Sequence, residues 1–279
     1  MTEDVTPKII ADVNKEFSKN LANDKRAETL SKKLATGKAG YKDAYSFAES
    51  VGSARAKAFK QINSAILPDG KMYYNIASRL MTDTLTADSN MIAEYATGVQ
   101  KICNDKAKIS LKALKAEVDP DRIDGFVQRL ASEEVFDDVA WILQEPVKTF
   151  ARSVVDDTIK KNADFQNKTG ITAVVIRRAA ANCCEWCSDL EGEYKPPYYS
   201  DLFQRHDNCR CTLDYEGRRL TTYYKNGRDT HTFRDQGEQE KIEARKEISE
   251  KRAAAKPDKS ALEYRKSLSE KMPITKNKG

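Results

Sequence analysis

The chain has 279 residues, 39% hydrophobic and 33% charged, with a formal net charge of +5. That length can bury a substantial core and can hold one or two domains. The 48 Lys and Arg are interleaved with 43 Asp and Glu, unlike the unbroken basic field of a strong nucleic-acid binder, and no apolar run approaches the ~18–20 residues that cross a bilayer, so no membrane partner is expected.

The N-terminal segment MTEDVTPKIIADVNKEF lacks the basic start and apolar stretch of a secretory signal, so the cysteines are expected to stay reduced. Val13, Phe17 and Leu21 recur every four positions and predict a first helix. A second runs from about Asp24 to Leu34 and ends near Gly37 and Gly40. A third, Lys42 to Ile66, carries Ala and Ser with few bulky residues and stops at Leu67-Pro68-Asp69-Gly70. Tyr73, Tyr74, Ile76, Ala77 and Leu80 suggest another helix, followed by a separate one around Ser89 to Val99.

Asp119-Pro120-Asp121 combines a capping carboxylate, a proline at the first helical position and an acid in the first turn. Ile123, Phe126, Val127 and Leu130 line that helix. Ser132 with Glu133 and Glu134 can start a next helix, striped by Val135, Phe136, Val139, Ile142 and Leu143. Glu145-Pro146 begins another, with Val147, Phe150, Ala151, Val154, Val155 and Ile159 on one face. These residues are expected to be core.

The character changes after Asn162. Residues 170–176 form a short β-favouring run, Thr212 to Tyr215 a second, Glu216-Gly217 a turn, and Leu220 to Tyr224 a third. Beyond Arg234 the chain is a charge-rich helix former with 13 Lys and Arg against 9 Asp and Glu. Such a segment buries little and is expected to be an exposed helix or tail.

Between the strands lie NCCEWCSDLEGEY, from Asn182, and FQRHDNCRCTLDY, from Phe203. Cys184, Cys187, His206, Cys209 and Cys211 fall within 28 residues, as a Cys-x-x-Cys pair and a His-x-x-Cys-x-Cys group separated by 18 residues. Two short knuckles of this kind deliver four soft or borderline ligands to a tetrahedral zinc ion with little backbone strain. The expected set is Cys184 and Cys187 with two or more of the other three. Spacing does not choose between His206 with Cys211 and Cys209 with Cys211. Cys183 is expected to be a spectator, Cys103 a buried or incidental thiol, and Trp186 and Phe203 lids over the site. Asp189, Glu191 and Glu193 read as a hydrated acidic loop. Arg177, Arg178, Arg205 and Arg210 place positive charge around the sheet, to neutralise thiolates, bind phosphate or pair with a partner.

With four protein ligands no coordination position is left for water, so the zinc is expected to be structural and no catalytic residue is assigned. A metal-dependent nuclease is the enzyme alternative; it would use His206 or His231 as base, with Asp207 or Asn208 holding a second metal or orienting the base. The fold class expected is α+β. A mostly helical region (1–164) precedes a small zinc-stapled, β-containing module (165–233) and a charged C-terminal helix or tail (234–279).

Cys184, Cys187, Leu190, Gly192, His206, Asn208, Cys209, Arg210 and Cys211, following a strand, resemble the C-terminal module of tailed-bacteriophage minor head proteins, the Mu F-like head morphogenesis group. The resemblance is strongest over residues 165–225. It implies a low-copy, non-catalytic virion component of the portal vertex or capsid interior, made in the host cytoplasm and incorporated during procapsid assembly. The implied partners are the portal protein, the major capsid protein or both, with packaged double-stranded DNA and a second copy of the chain left open. A zinc-containing DNA-binding protein is the alternative.

Overall fold

The computed structural model describes residues 4–206 and 208–218. Leu220 to Tyr224, His231, Asp207 and the charged segment 234–279 lie outside the described residues.

Helix α1 (Thr6–Ala22) buries Ile9, Val13 and Phe17, as their spacing requires. Asp24 caps α2 (Lys25–Ala35) by accepting from the backbone N–H groups of Arg26 and Ala27 at 2.8 and 3.3 Å. Gly37, at φ +68°, ends α2 in a left-handed turn that lets Lys38 N–H donate to the Lys33 carbonyl at 2.9 Å.

Helix α3 (Tyr41–Phe59) is the most deeply enclosed, and its small residues explain how. A Cβ on Gly52 would stand 3.0 Å from the Cα of Lys148 and the Cβ of Ala151, so α3 and α6 (Glu145–Lys168) meet almost backbone to backbone. The sequence predicts α3 as far as Ile66. It stops at Phe59, and Ser64–Ile66 forms a separate 3-10 turn capped by the Asn63 side chain, which accepts from Ala65 N–H at 3.0 Å.

The two helices expected between Tyr73 and Val99 are a single one, α4 (Tyr74–Lys106). Two polar side chains in the stretch that reads as a break, Thr84 and Asp88, are instead buried and hydrogen-bonded. Thr84 Oγ1 donates to the Leu80 carbonyl at 2.7 Å, and Asp88 accepts two hydrogen bonds of 2.8 Å from Arg55 on α3.

Asp119 caps α5 (Pro120–Leu130) with bonds of 3.1 Å from Asp121 and Arg122 N–H. The helix expected after Ser132 is not formed. Ser132 Oγ instead turns back to the Arg129 carbonyl at 2.9 Å, and only the 3-10 turns Phe136–Asp138 and Ala140–Leu143 follow. Most of its hydrophobic residues are still core, with Phe136, Val139, Ile142 and Leu143 buried and Val135 and Trp141 exposed. Burial thus follows the pattern even where the helix does not.

A three-stranded antiparallel sheet has the order β2-β1-β3, with β1 (Thr172–Arg178) between β2 (Gly192–Tyr194) and β3 (Thr212–Arg218). The turn expected at Glu216-Gly217 lies inside β3, opposite Val174 and Ala173. An added Cβ there would run into Ile109 Cδ1 and the Tyr215 hydroxyl, buried side-chain ends that would have to shift to admit it. At Gly192, φ is +153°, a conformation that strains an L side chain; this glycine opens β2, which sequence patterning does not reveal.

Ala173, Val175, Tyr194, Leu213 and Tyr215 belong to the same apolar core as Val51, Leu80 and Val155 of the helices. No helix among the described residues is long and apolar enough to cross a membrane. The architecture is a mostly helical core carrying a small open sheet, with the cysteine-bearing loops at the sheet's end.

Candidate metal centre

One cysteine-bearing segment follows the end of β1 and the other precedes the start of β3, and they meet because Arg178 pairs with Thr212 across the sheet. After β1 the chain turns into α7 (Glu185–Asp189), where Cys184 is the N-cap residue and Cys187 lies one turn further along the same face. The second segment arrives through a 3-10 turn, Ser200–Phe203, and leaves into β3. Between them, Asn208 adopts φ +61°, tolerated by Asn better than by most residues, and Cys209 N–H donates to the His206 carbonyl at 3.2 Å.

The resulting geometry brings all five predicted donors into two triads that share Cys187. Cys184, Cys187 and His206 form one, and Cys187, Cys209 and Cys211 the other; within each triad the ligand atoms lie within 4.8 Å of one another. His206 Nε2 stands 3.3 Å from Cys184 Sγ and 3.2 Å from Cys187 Sγ, and Cys187 Sγ stands 3.7 Å from Cys209 Sγ. Two thiolates bound to one zinc at the tetrahedral angle are about 3.8 Å apart, and a thiolate and an imidazole about 3.6 Å. The sulfur pair matches that edge, and the imidazole contacts fall slightly inside it. Cys187, Cys209 and Cys211 are buried, whereas Cys184 and His206 are exposed.

The thiols are electrostatically linked. The hydrogen bond from Cys211, opposed by burial and helped by the Arg205 charge, lowers the Cys209 thiol to about 4. Burial, followed by the charge on Cys209, lifts Cys187 to about 11. The bond to Cys209, with burial, raises Cys211. The close packing of these sulfurs sets their ionisations against one another. A divalent cation is what would let several ionise together, since ligand deprotonation and metal binding are coupled.

Two guanidinium groups reach these sulfurs. Arg177, at the end of β1 and only 3% exposed, points Nη2 at Cys187 Sγ at 3.7 Å. The same side chain donates to the carbonyls of Leu202 at 2.5 Å and Gln204 at 3.2 Å, fixing the approach to His206. Arg205 points Nη1 at Cys209 Sγ at 3.8 Å and at its carbonyl at 3.3 Å. Arg178 and Arg210 are exposed. Trp186 stands edge-on to His206 with ring centroids 6.0 Å apart, whereas Phe203 packs against Tyr198 in the main core. Cys183 packs beside the cluster without joining either triad. Asp189, Glu191 and Glu193 are exposed. Cys103 is remote from the cluster in sequence, and burial, with Asp214 nearby, pushes its thiol to about 11.

Sequence spacing does not reveal the helical residues behind the site. Asp156 on α6 pairs with Arg205, Arg152 on α6 donates to the Cys209 carbonyl at 3.3 Å, and Tyr45 on α3 donates its hydroxyl to Asp156. Only the position of Arg205, next to His206, hints at this layer. No family model, curated protein or solved structure matches the chain.

Proposed function

We propose that the chain is a non-catalytic structural protein whose sheet is stapled by one zinc ion, held by Cys184, Cys187, His206 and Cys209. The observation that carries this reading is the convergence of donors from both knuckles on Cys187, at 3.2 Å for His206 and 3.7 Å for Cys209. His206 presents its Nε2 to two sulfurs, the position of a ligand, which weighs against its use as the base of a nuclease. Metal analysis of protein purified without added metal tests the reading. One zinc per chain is expected, with loss of the ion in Cys187→Ser and retention in Cys211→Ser. Protein free of metal, with its stability unmoved by chelators, would refute it.

The biological role proposed on this scaffold is that of a minor head protein of a tailed bacteriophage, at the portal vertex or capsid interior. This role rests on the resemblance carried by Cys184, Cys187, Leu190, Gly192, His206, Asn208, Cys209, Arg210 and Cys211. A helical body with exposed Trp141 (53%) and Tyr74 (47%) offers apolar surface to an assembly partner. Co-purification with portal or capsid protein in particles is the test, and absence from purified particles would remove the role.

A second reading, a zinc-containing DNA-binding protein, has the two Cys/His donor triads as its support. It predicts duplex binding whose affinity falls steeply with salt as counterions are released.

A further inference from the structure

We infer that Arg205 latches the metal centre to the helical body, so that ion binding and docking of the cysteine loop on α3 and α6 are one event. The inference rests on the zinc reading above and concerns how that site communicates with the rest of the fold.

Arg205 directly precedes His206. Its side chain is 6% exposed, and that of its partner Asp156 is 2% exposed. Nε and Nη2 meet the two carboxylate oxygens of Asp156, the second at 2.9 Å, while Nη1 turns to the carbonyl and sulfur of Cys209. Tyr45 of α3 donates to the same carboxylate, and its oxygen accepts from Leu213 N–H of β3 at 3.0 Å. Arg152, paired with Glu49 of α3, supplies a second guanidinium to the Cys209 carbonyl. One metal ligand is therefore gripped by two arginines, each anchored to a carboxylate of the helical body.

A buried ion pair contributes little net stability by itself, but loss of one partner is costly. The third arm of the Arg205 fork is satisfied only while Cys209 lies against Cys187. Without an ion, Cys209 is held by the two guanidinium bonds to its carbonyl, by its own N–H to the His206 carbonyl and by weak N–H···S contacts; a bound ion would add a direct tie from His206 and Cys209 to Cys184 and Cys187. Freeing Arg205 from Asp156 in turn displaces His206 and Cys209. Linkage makes the two effects equal in free energy.

The test uses the full chain loaded with zinc and, in parallel, with cobalt(II). Arg205→Gln is expected to weaken metal affinity by about 10- to 100-fold in chelator competition. It should also shift the thiolate-to-cobalt charge-transfer band, because its N–H faces the Cys209 sulfur. Tyr45→Phe deletes one oxygen and is expected to weaken affinity in the same direction without moving the band. It carries the test if loss of Arg205 prevents folding. Chelation of the wild type should speed amide exchange around Asp156 and Tyr45. If the wild type holds one zinc, yet chelation leaves those amides unchanged and both variants bind within about twofold of it, the latch is refuted and the metal centre stands. If the wild type binds no zinc and Cys187→Ser behaves like it, the metal centre and the latch fall together.

Discussion

Arg55 and Asp88 meet inside the helical body with side chains 1% and 3% exposed, while Arg205 and Asp156 meet beside the cysteine loops at 6% and 2%. The first pair is sealed. Phe17 covers the Arg55 guanidinium at 3.8 Å, Asn14 accepts its remaining hydrogen bond at 2.9 Å, and burial outweighs Arg55 in raising the Asp88 carboxyl. The second pair is open-ended, because one arm of Arg205 reaches Cys209. The same chemistry therefore serves two ends. In the helices it fixes how α1, α3 and α4 sit on one another. At the sheet it ties a small element that cannot stand alone to the helices it packs on. With β2 only three residues long, the sheet buries too little for independent stability and depends on α6, on the shared core and on its loops being closed.

Breaking the shared sulfur tests that contrast most severely. Cys187→Ser removes the donor common to both triads and is expected to abolish zinc binding, a term on the order of 10 kcal/mol at neutral pH for structural sites. Exchange should then rise across residues 182–211 while α4 around Leu80 stays protected; equal loss in both regions would erase the contrast. Acid should reproduce the effect reversibly, since protons compete with zinc for His and Cys, and zinc content is expected to fall below about pH 6.

Asp88→Ala strands the Arg55 charge in the helical core and is expected to cost about 3–5 kcal/mol in urea unfolding. Zinc content of the folded fraction should not change. Gly217→Ala forces a methyl against Ile109 and should cost about 1–3 kcal/mol by overpacking, with the sheet's amides most affected. The smallest effect is expected at a helix end. Asp119→Ala removes the α5 cap and should cost about 1 kcal/mol, read as a shift in the urea midpoint at unchanged slope.

The sequence makes some of this design plain and conceals the rest for identifiable reasons. Asp24, Asp119 and Pro120 act within a few residues of themselves, so their caps can be read directly. The two knuckles are equally local, and their donors fall into two triads that share Cys187. The unity of α4 is hidden because Asp88 looks like a breaker until its partner, Arg55, is known, and that partner is 33 residues away. The turns after Ser132 are hidden because a helical stripe and a 3-10 arrangement bury the same residues. β2 is too short to carry an alternation. Arg205 can be suspected from its place beside His206, but Asp156 and Tyr45 are ordinary helix residues until the sheet is set against them.

Helix α4 is 33 residues long and carries, near its far end, Gln100 and Asn104. Gln100 accepts from Tyr41, Gln100 and Gln166 both donate to Asn104 at 2.8 and 2.9 Å, and Asn104 donates to the Leu111 carbonyl at 3.0 Å. One extra residue placed mid-rod would swing that amide pair about 100° around the axis. Length variants at that point should therefore be lethal to the fold.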